Sequence, residues 1–217
     1  MATYRDLVQS YASSTGANLE IKSMISDRVV VFPAFLTNIS QDFKSQWNTE
    51  SVFGRMDPIA TFQNTTRTVS LGWHVPAASV TEAKLNHKKF TKLSQMLYPA
   101  YLKSRDETGV QGPLPGGAGI LGTDPSLVMA KSPLVRVKFG NMVCAQDGTS
   151  GLLGWIDGLS FKPTLSMGMF SGGGGKFYAK NFELSFTLNV LHDDEVGIDA
   201  NDGKWLGSDS DKFPFGD

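Results

Sequence analysis

The stretch NFELSFTLNVLH, residues 181–192, constrains the fold more than any other. Phe182, Leu184, Phe186, Leu188 and Val190 alternate with Glu183, Ser185, Thr187 and Asn189. Successive side chains of a strand point to opposite faces. This period of two therefore demands a sheet with one apolar face on a core and one polar face. TRTVSLGWHV repeats the pattern: Val69, Leu71, Trp73 and Val75 alternate with Thr68, Ser70, Gly72 and His74, and Pro76 ends the strand. RVVVFPAFL, residues 28–36, is rich in β-branched and aromatic residues, and Pro33 inside it marks an edge strand or a bulge. Strands are also expected in LVRVKFGNMVCA, residues 134–145, and in the GLLGWIDGLSFKPTL that follows. Turn chemistry lies at Gly54 to Pro58, Asp147-Gly148 and Asp157-Gly158, and SGGGGK at 171–176 reads as a flexible hairpin tip.

One segment changes period. Ser79-Val-Thr-Glu82 is a capping box, and Ala83, Phe90, Leu93 and Leu97 then share a helical face over 79–98, with Pro99 as the stop. Lys84, Lys88 and Lys92 recur one turn apart on another face, either a solvated face or a basic stripe for an acidic partner. Residues 104–132 form a long loop centred on GPLPGGAGILGTDP, a length that fits a binding loop or an arm. The organisation expected is an N-terminal arm at 1–27, a β domain at 28–192 and an acidic Gly/Asp-rich tail at 193–217.

Charge narrows the function. The chain has a formal net charge of −1, which argues against nucleic-acid binding driven by bulk charge. From 192 to 217 there are 8 acids and 2 lysines, so the acidic excess is in the tail. Cys144 is the single cysteine, which removes any intrachain disulfide framework. The first residues carry Arg5 and Asp6 and no leader-like apolar run, and the longest apolar run, 29–36, is too short to span a bilayer. A soluble protein in a reducing setting is expected, without membrane insertion.

No catalytic pattern survives inspection. GAGILG at 117–122 matches G-x-G-x-x-G, but no strand precedes it. Asp199 to Gly203 hints at a calcium loop, yet its glycine falls at position 5 and Ser210 at position 12. His74, His87 and His192 have no metal spacing, and nothing local activates Cys144. No catalytic residue, cofactor or metal site is expected. A well-patterned β chain without chemistry points to assembly or binding, and a closed ring of subunits is one way to remove exposed sheet edges.

GRMDPI, the Thr-x-Arg-Thr-x-Ser strand after it, and the capped helix VTEAKLNHKKFTKLSQMLYPAY together resemble tail-tube-like proteins of contractile phages. GLLGWIDGLSFKPTLSMGMF and KFYAKNFELSFTLNVLH extend the resemblance over most of 28–192. It is closest to baseplate tube-initiator proteins. The resemblance implies a mainly β fold of two packed antiparallel sheets flanked by one α-helix, oligomerising into a β-barrel ring. It implies a homo-hexamer at the baseplate–tube junction that initiates tail-tube assembly and lines the DNA channel. The partners implied are the adjoining hub and tail-tube proteins and sheath-initiating proteins, with DNA only as passing cargo. The setting implied is the virion tail, assembled in the host cytoplasm.

By the same resemblance Glu183, Ser185, Thr187 and Asn189 line the lumen. Arg55, Asp57, Lys84, Lys88, Lys92, Trp205, Phe213 and Phe215 belong to subunit or ring interfaces. Some initiators carry a small peptidoglycan-binding-type module that is not seen in this sequence. The major tube protein or another baseplate ring therefore stays open as an alternative. A β-sandwich binding module of a tail fibre is the rival of a different class. It would want an exposed aromatic platform, for which Trp155 and Trp205 are candidates, although Trp155 reads as core.

Overall fold

The computed structural model describes residues 17–33, 35–103, 127–193 and 195–206. Among the described residues eleven strands and one α-helix follow in the order β1 (Asn18–Ser23), β2 (Val29–Pro33), β3 (Phe35–Glu50), β4 (Ile59–Pro76), α1 (Val80–Gln95), β5 (Ala100–Lys103), β6 (Leu127–Lys131), β7 (Val135–Phe139), β8 (Leu152–Pro163), β9 (Met169–Ser171), β10 (Phe177–Ala179) and β11 (Asn181–Val190). A short 3-10 turn, Leu165–Met167, precedes β9. Among the described residues no helix is long and apolar enough to cross a membrane.

Seven strands form one antiparallel sheet in the order β2-β1-β7-β8-β11-β4-β3. β9 and β10 form a separate two-stranded ribbon, as do β5 and β6. The two packed sheets implied by the resemblance are thus replaced by one continuous sheet that curls over itself. Laid flat, β2 and β4 would stand about 24 Å apart, five steps at ~4.8 Å each. Yet the rings of Phe32 on β2 and Trp73 on β4 have centroids 5.6 Å apart. Trp73 meets Phe186 of β11 edge to face at the same separation. The curl puts β1, β2 and β7 over β8, β11 and β4, and the core fills the space between. The sheet is not closed.

The period-two readings hold. Val69, Leu71, Trp73 and Val75 are buried, as are Phe182, Leu184, Phe186, Leu188 and Val190. Each such side chain withdrawn from water contributes about 1.5–3 kcal/mol. β2, with Pro33 at its end, is an edge strand, as its proline requires.

Four elements depart from expectation. β6, at 127–131, falls inside the loop expected at 104–132 and pairs with β5. β1, inside the expected arm at 1–27, lies between β2 and β7 with Leu19 and Ile21 fully buried. β3 continues to Glu50, well past the strand read at 28–36. The expected turn at Asp157-Gly158 is a bulge within β8: Ser185 faces Ser160 while Thr187 faces Asp157, so β8 spends one extra residue there. Gly158 absorbs it at φ 66°, a conformation costly for any side chain with a Cβ.

The two ends of the curled sheet are stopped differently. At one end α1 lies across it. The Ser79 hydroxyl accepts from Glu82 N–H, and the Glu82 carboxylate reaches back to Ala78 N–H, one residue earlier than the usual box. The helix closes at Gln95, with Met96 as C-cap, short of Pro99. Phe90 stacks on Phe161, centroids 4.5 Å apart, and Lys89 Nζ donates to Val31 O at 2.7 Å. At the other end Arg67 donates to Gln41 Oε1, whose amide donates to Met142 O at 3.0 Å. This polar stitch ties β3 and β4 to the loop after β7.

Candidate assembly surfaces

Three surfaces follow from this frame. The first is a polar wall of four strands, β8, β11, β4 and β3. Its outward residues on β11 are Glu183, Ser185, Thr187 and Asn189, all half-buried, as the alternation requires. Opposite them on β4 stand His74, Gly72, Ser70 and Thr68. The Ser70 and Thr187 hydroxyls are hydrogen-bonded at 3.2 Å. β8 adds Lys162, Ser160, Asp157 and Trp155, and β3 adds Ser40, Asp42 and Lys44. The wall is built of hydroxyls and amides with three carboxylates and two lysines among them. Trp155, read as core, is instead exposed on this wall beside Asn189. Its parity on β8 is that of Asp157, and only Ile156 between them turns inward.

The edges of the wall are the second surface. Among the described residues nothing pairs with the outer edge of β3 along its 16 residues. β7 covers β8 only from Leu152 to Gly154, so 155–163 have β11 on one side and no described strand on the other. The far sheet edge, β2, is blunted. Pro33 has no N–H to offer, and Lys89 occupies the Val31 carbonyl.

The third surface is an arm. β4 pairs with β11 only from Thr68 onward, so Ile59–Arg67 pairs with β3 alone. This two-stranded hairpin extends about 30 Å past the wall, nine residues at ~3.3 Å. Its inner face continues the core face outward. Arg67, whose guanidinium lies 5.4 Å from the Phe43 ring centroid, comes first, then Trp47 edge to face on Phe62 at 5.3 Å. Trp47 is 56% and Phe62 51% exposed, values typical of an interface rather than a core. At the tip Phe53 and Met56 are fully exposed.

Arg67 is itself nearly inaccessible to solvent. Burial pulls its guanidinium down to about 10, against a smaller upward pull from Cys144. Asp147, in the turn before β8, is held far below the ordinary carboxylate range. The Ser150 N–H contributes most, with the Thr149 hydroxyl next.

The expected interface residues do not come together. Arg55 and Asp57 lie exposed at the arm tip. Lys84, Lys88 and Lys92 are exposed on α1, where Lys84 also lies 5.7 Å from the Tyr178 ring centroid. Trp205 is bridged to Ile198 in a turn of its own chain. Phe213, Phe215 and the 117–122 glycine segment lie outside the described residues. The Asp199 carboxylate accepts from Asn201 N–H and Nδ2, so it serves that turn. His74, His87 and His192 sit on β4, on α1 and after β11. Among the described residues no three His, Cys, Asp or Glu side chains gather as a metal site would require.

The arm aromatics were missed in the sequence although a signal was present. Ile39, Phe43 and Trp47 keep one parity in β3, but the polar Gln41 and Ser45 interrupt the series. Neither a protein-family model nor a curated protein matches the chain.

Proposed function

We propose that the chain is a structural subunit of a contractile phage tail. It forms a hexameric ring at the baseplate–tube junction that starts the tail tube and lines the DNA channel. The observation that carries this reading is the polar wall with two edges that no described strand pairs. β8, β11, β4 and β3 alternate in direction, so β3 of one copy meets β8 of the next antiparallel. Rotation about an axis then repeats the same contact until the ring closes, and closure removes both edges. Six walls give about 24 strands and a backbone circumference of roughly 115 Å before strand tilt widens it. The apolar faces point outward into each subunit, and the hydroxyl-rich faces line the bore. A conduit for a polyanion needs such a surface: the three carboxylates of each wall outnumber its two lysines, so no net positive charge holds phosphates. Adjoining hub, tube and sheath-initiating proteins dock on the rims.

Trp155, exposed on the wall, favours a second reading, a β-sandwich binding module with an aromatic platform. Light scattering with negative-stain imaging of the purified chain, alone and mixed with hub and tube proteins, separates the two. Six-fold rings with an open centre are expected. Particles that stay single under every condition would overturn the ring and bring the binding module forward.

A further inference from the structure

The outer face of β1 and β7 carries cations that the wall does not use. Glu20 and Lys22 on β1 stand opposite Lys138 and Arg136 on β7. Strand alternation turns these four outward while Leu19, Ile21, Val135 and Val137 enter the core. With the 149–151 turn they line a cavity of about 420 Å³. Backbone carbonyls aim two of the cations. Arg136 donates to Gly151 O at 3.1 Å, and Lys138 Nζ donates to Thr149 O at 3.0 Å. Lys22 directly opposite Arg136 is a like-charge pair, which is destabilising until an anion lies between them. The nearby carboxylates meet this need only in part. Asp27 reaches Lys22 at 3.3 Å from an exposed turn, where an ion pair contributes little. Glu20 joins no ion pair among the described residues. Arg136 binds Asp193, the first acid after β11, so one carboxylate of the acidic tail is already at the cavity's rim.

We infer that the cavity holds a second stretch of the same tail, residues 207–217, through Asp209 and Asp211. Reach and charge both select that occupant. The described chain ends at Leu206, whose N–H donates to Gly197 O at 2.8 Å. Gly197 follows Asp193 by four residues, about 14 Å of chain at most. Asp209 and Asp211 follow Leu206 by three and five residues, about 10 and 17 Å when extended. Both therefore reach Lys22 and Lys138 from where the described chain stops. The charges match in number as well as sign. The cavity offers three cations and one carboxylate, and 207–217 offers Asp209, Asp211 and Asp217 with one cation, Lys212. A tethered segment also acts at an effective concentration in the mM range, so weak ion pairs suffice to hold it. An acidic partner docking on this face would have to displace the tail first. The inference goes beyond the ring and does not rest on it, because the outer face of β1 and β7 is no part of the wall.

The test follows trypsin cleavage after Lys212 in the full chain. Lys22→Gln with Lys138→Gln alters the cavity and leaves the tail sequence unchanged, and circular dichroism checks that this variant folds. At low salt, wild-type protein is expected to release residues 213–217 at least tenfold more slowly than the variant. In about 0.5 M salt the difference is expected to vanish, because the ion pairs are screened. Asp209→Asn with Asp211→Asn is expected to be cut as fast as a free peptide of its own tail sequence. Wild-type protein cut as fast as the free wild-type peptide, or a cavity variant cut as slowly as wild type, would overturn the inference. As an independent readout, Lys138→Cys with Asp211→Cys under oxidation is expected to give a disulfide within one chain. Disulfide-linked dimers alone would overturn the inference by placing the tail on another copy. The native Cys144 is buried and stays silent. Single subunits that protect Lys212 and never form rings would uphold the tail site and overturn the ring.

Discussion

Arg67 stands where the core gives way to the arm. On the buried side of β4 it follows Leu71 and Val69, and beyond it the same face carries Phe62 and Trp47. An apolar residue there would extend the core. A guanidinium instead donates to Gln41 and lies against Phe43, holding the hairpin at its root. The cost is electrostatic, and His192 bears part of it. Burial first and the Arg67 cation second push its imidazole below the usual 6.5, against a smaller upward pull from Asp193. The folded state therefore resists protonating His192 while the unfolded chain does not. Stability from this source is present above about pH 6.5 and falls as pH drops from there through the lowered value. Melting temperature is expected to fall between pH 7.5 and 5.5, and the fall should be smaller in His192→Gln. An equal fall in both proteins would place the acid sensitivity elsewhere.

At the scale of elements, β3 and β8 each present a row of backbone groups that no described strand covers. Hydrogen exchange gives a direct reading of this. In single subunits, outward amides of β3 and of 155–163 in β8 are expected to exchange far faster than those of β11, which is paired on both sides. On assembly the β3 and β8 amides should slow by at least tenfold. Protection of neither would exclude lateral strand pairing. The strands with clean alternation were legible in the sequence because one face meets the core and the other meets water, and β11 and the second half of β4 obey this except at the buried Asn181 and Gly72. β3 was not legible past Leu36. Its inward series contains Gln41 and Ser45, and its distal half has no core to dictate a pattern. The bulge at Gly158 looked like a turn because Asp-Gly serves both, and only pairing with β11 distinguishes them. Trp155 was misplaced for a related reason, since a bulge two residues on hides which parity is inward. That Glu183, Ser185, Thr187 and Asn189 share the polar face of β11 was legible from period alone, whereas their place in a lumen came only from the resemblance. The arm tip was recognised as a turn, but that Phe53 and Met56 stand clear of everything is a property of how far the hairpin projects.

For the whole molecule, the wall's near-neutral charge is what the proposed ring would repeat around its axis. Ser185→Lys with Asn189→Lys adds two cations per copy to a surface that now has none on β11. Polynucleotide binding is expected to appear in assembled rings of this variant and to weaken steeply with salt, while wild-type rings show none. Unchanged behaviour would mean that β11 does not line the bore. The order of strands carries a further consequence. β11 is the last strand of the wall in the chain and lies inside it, between β8 and β4. During synthesis, β3 and β4 leave the ribosome as a hairpin whose inner edge waits more than a hundred residues for its partner. A nascent subunit thus has no wall to offer its neighbours until β11 has slotted into place. In the proposed ring, synthesis of β11 becomes the checkpoint for assembly, and fragments stalled before that strand would be kept out.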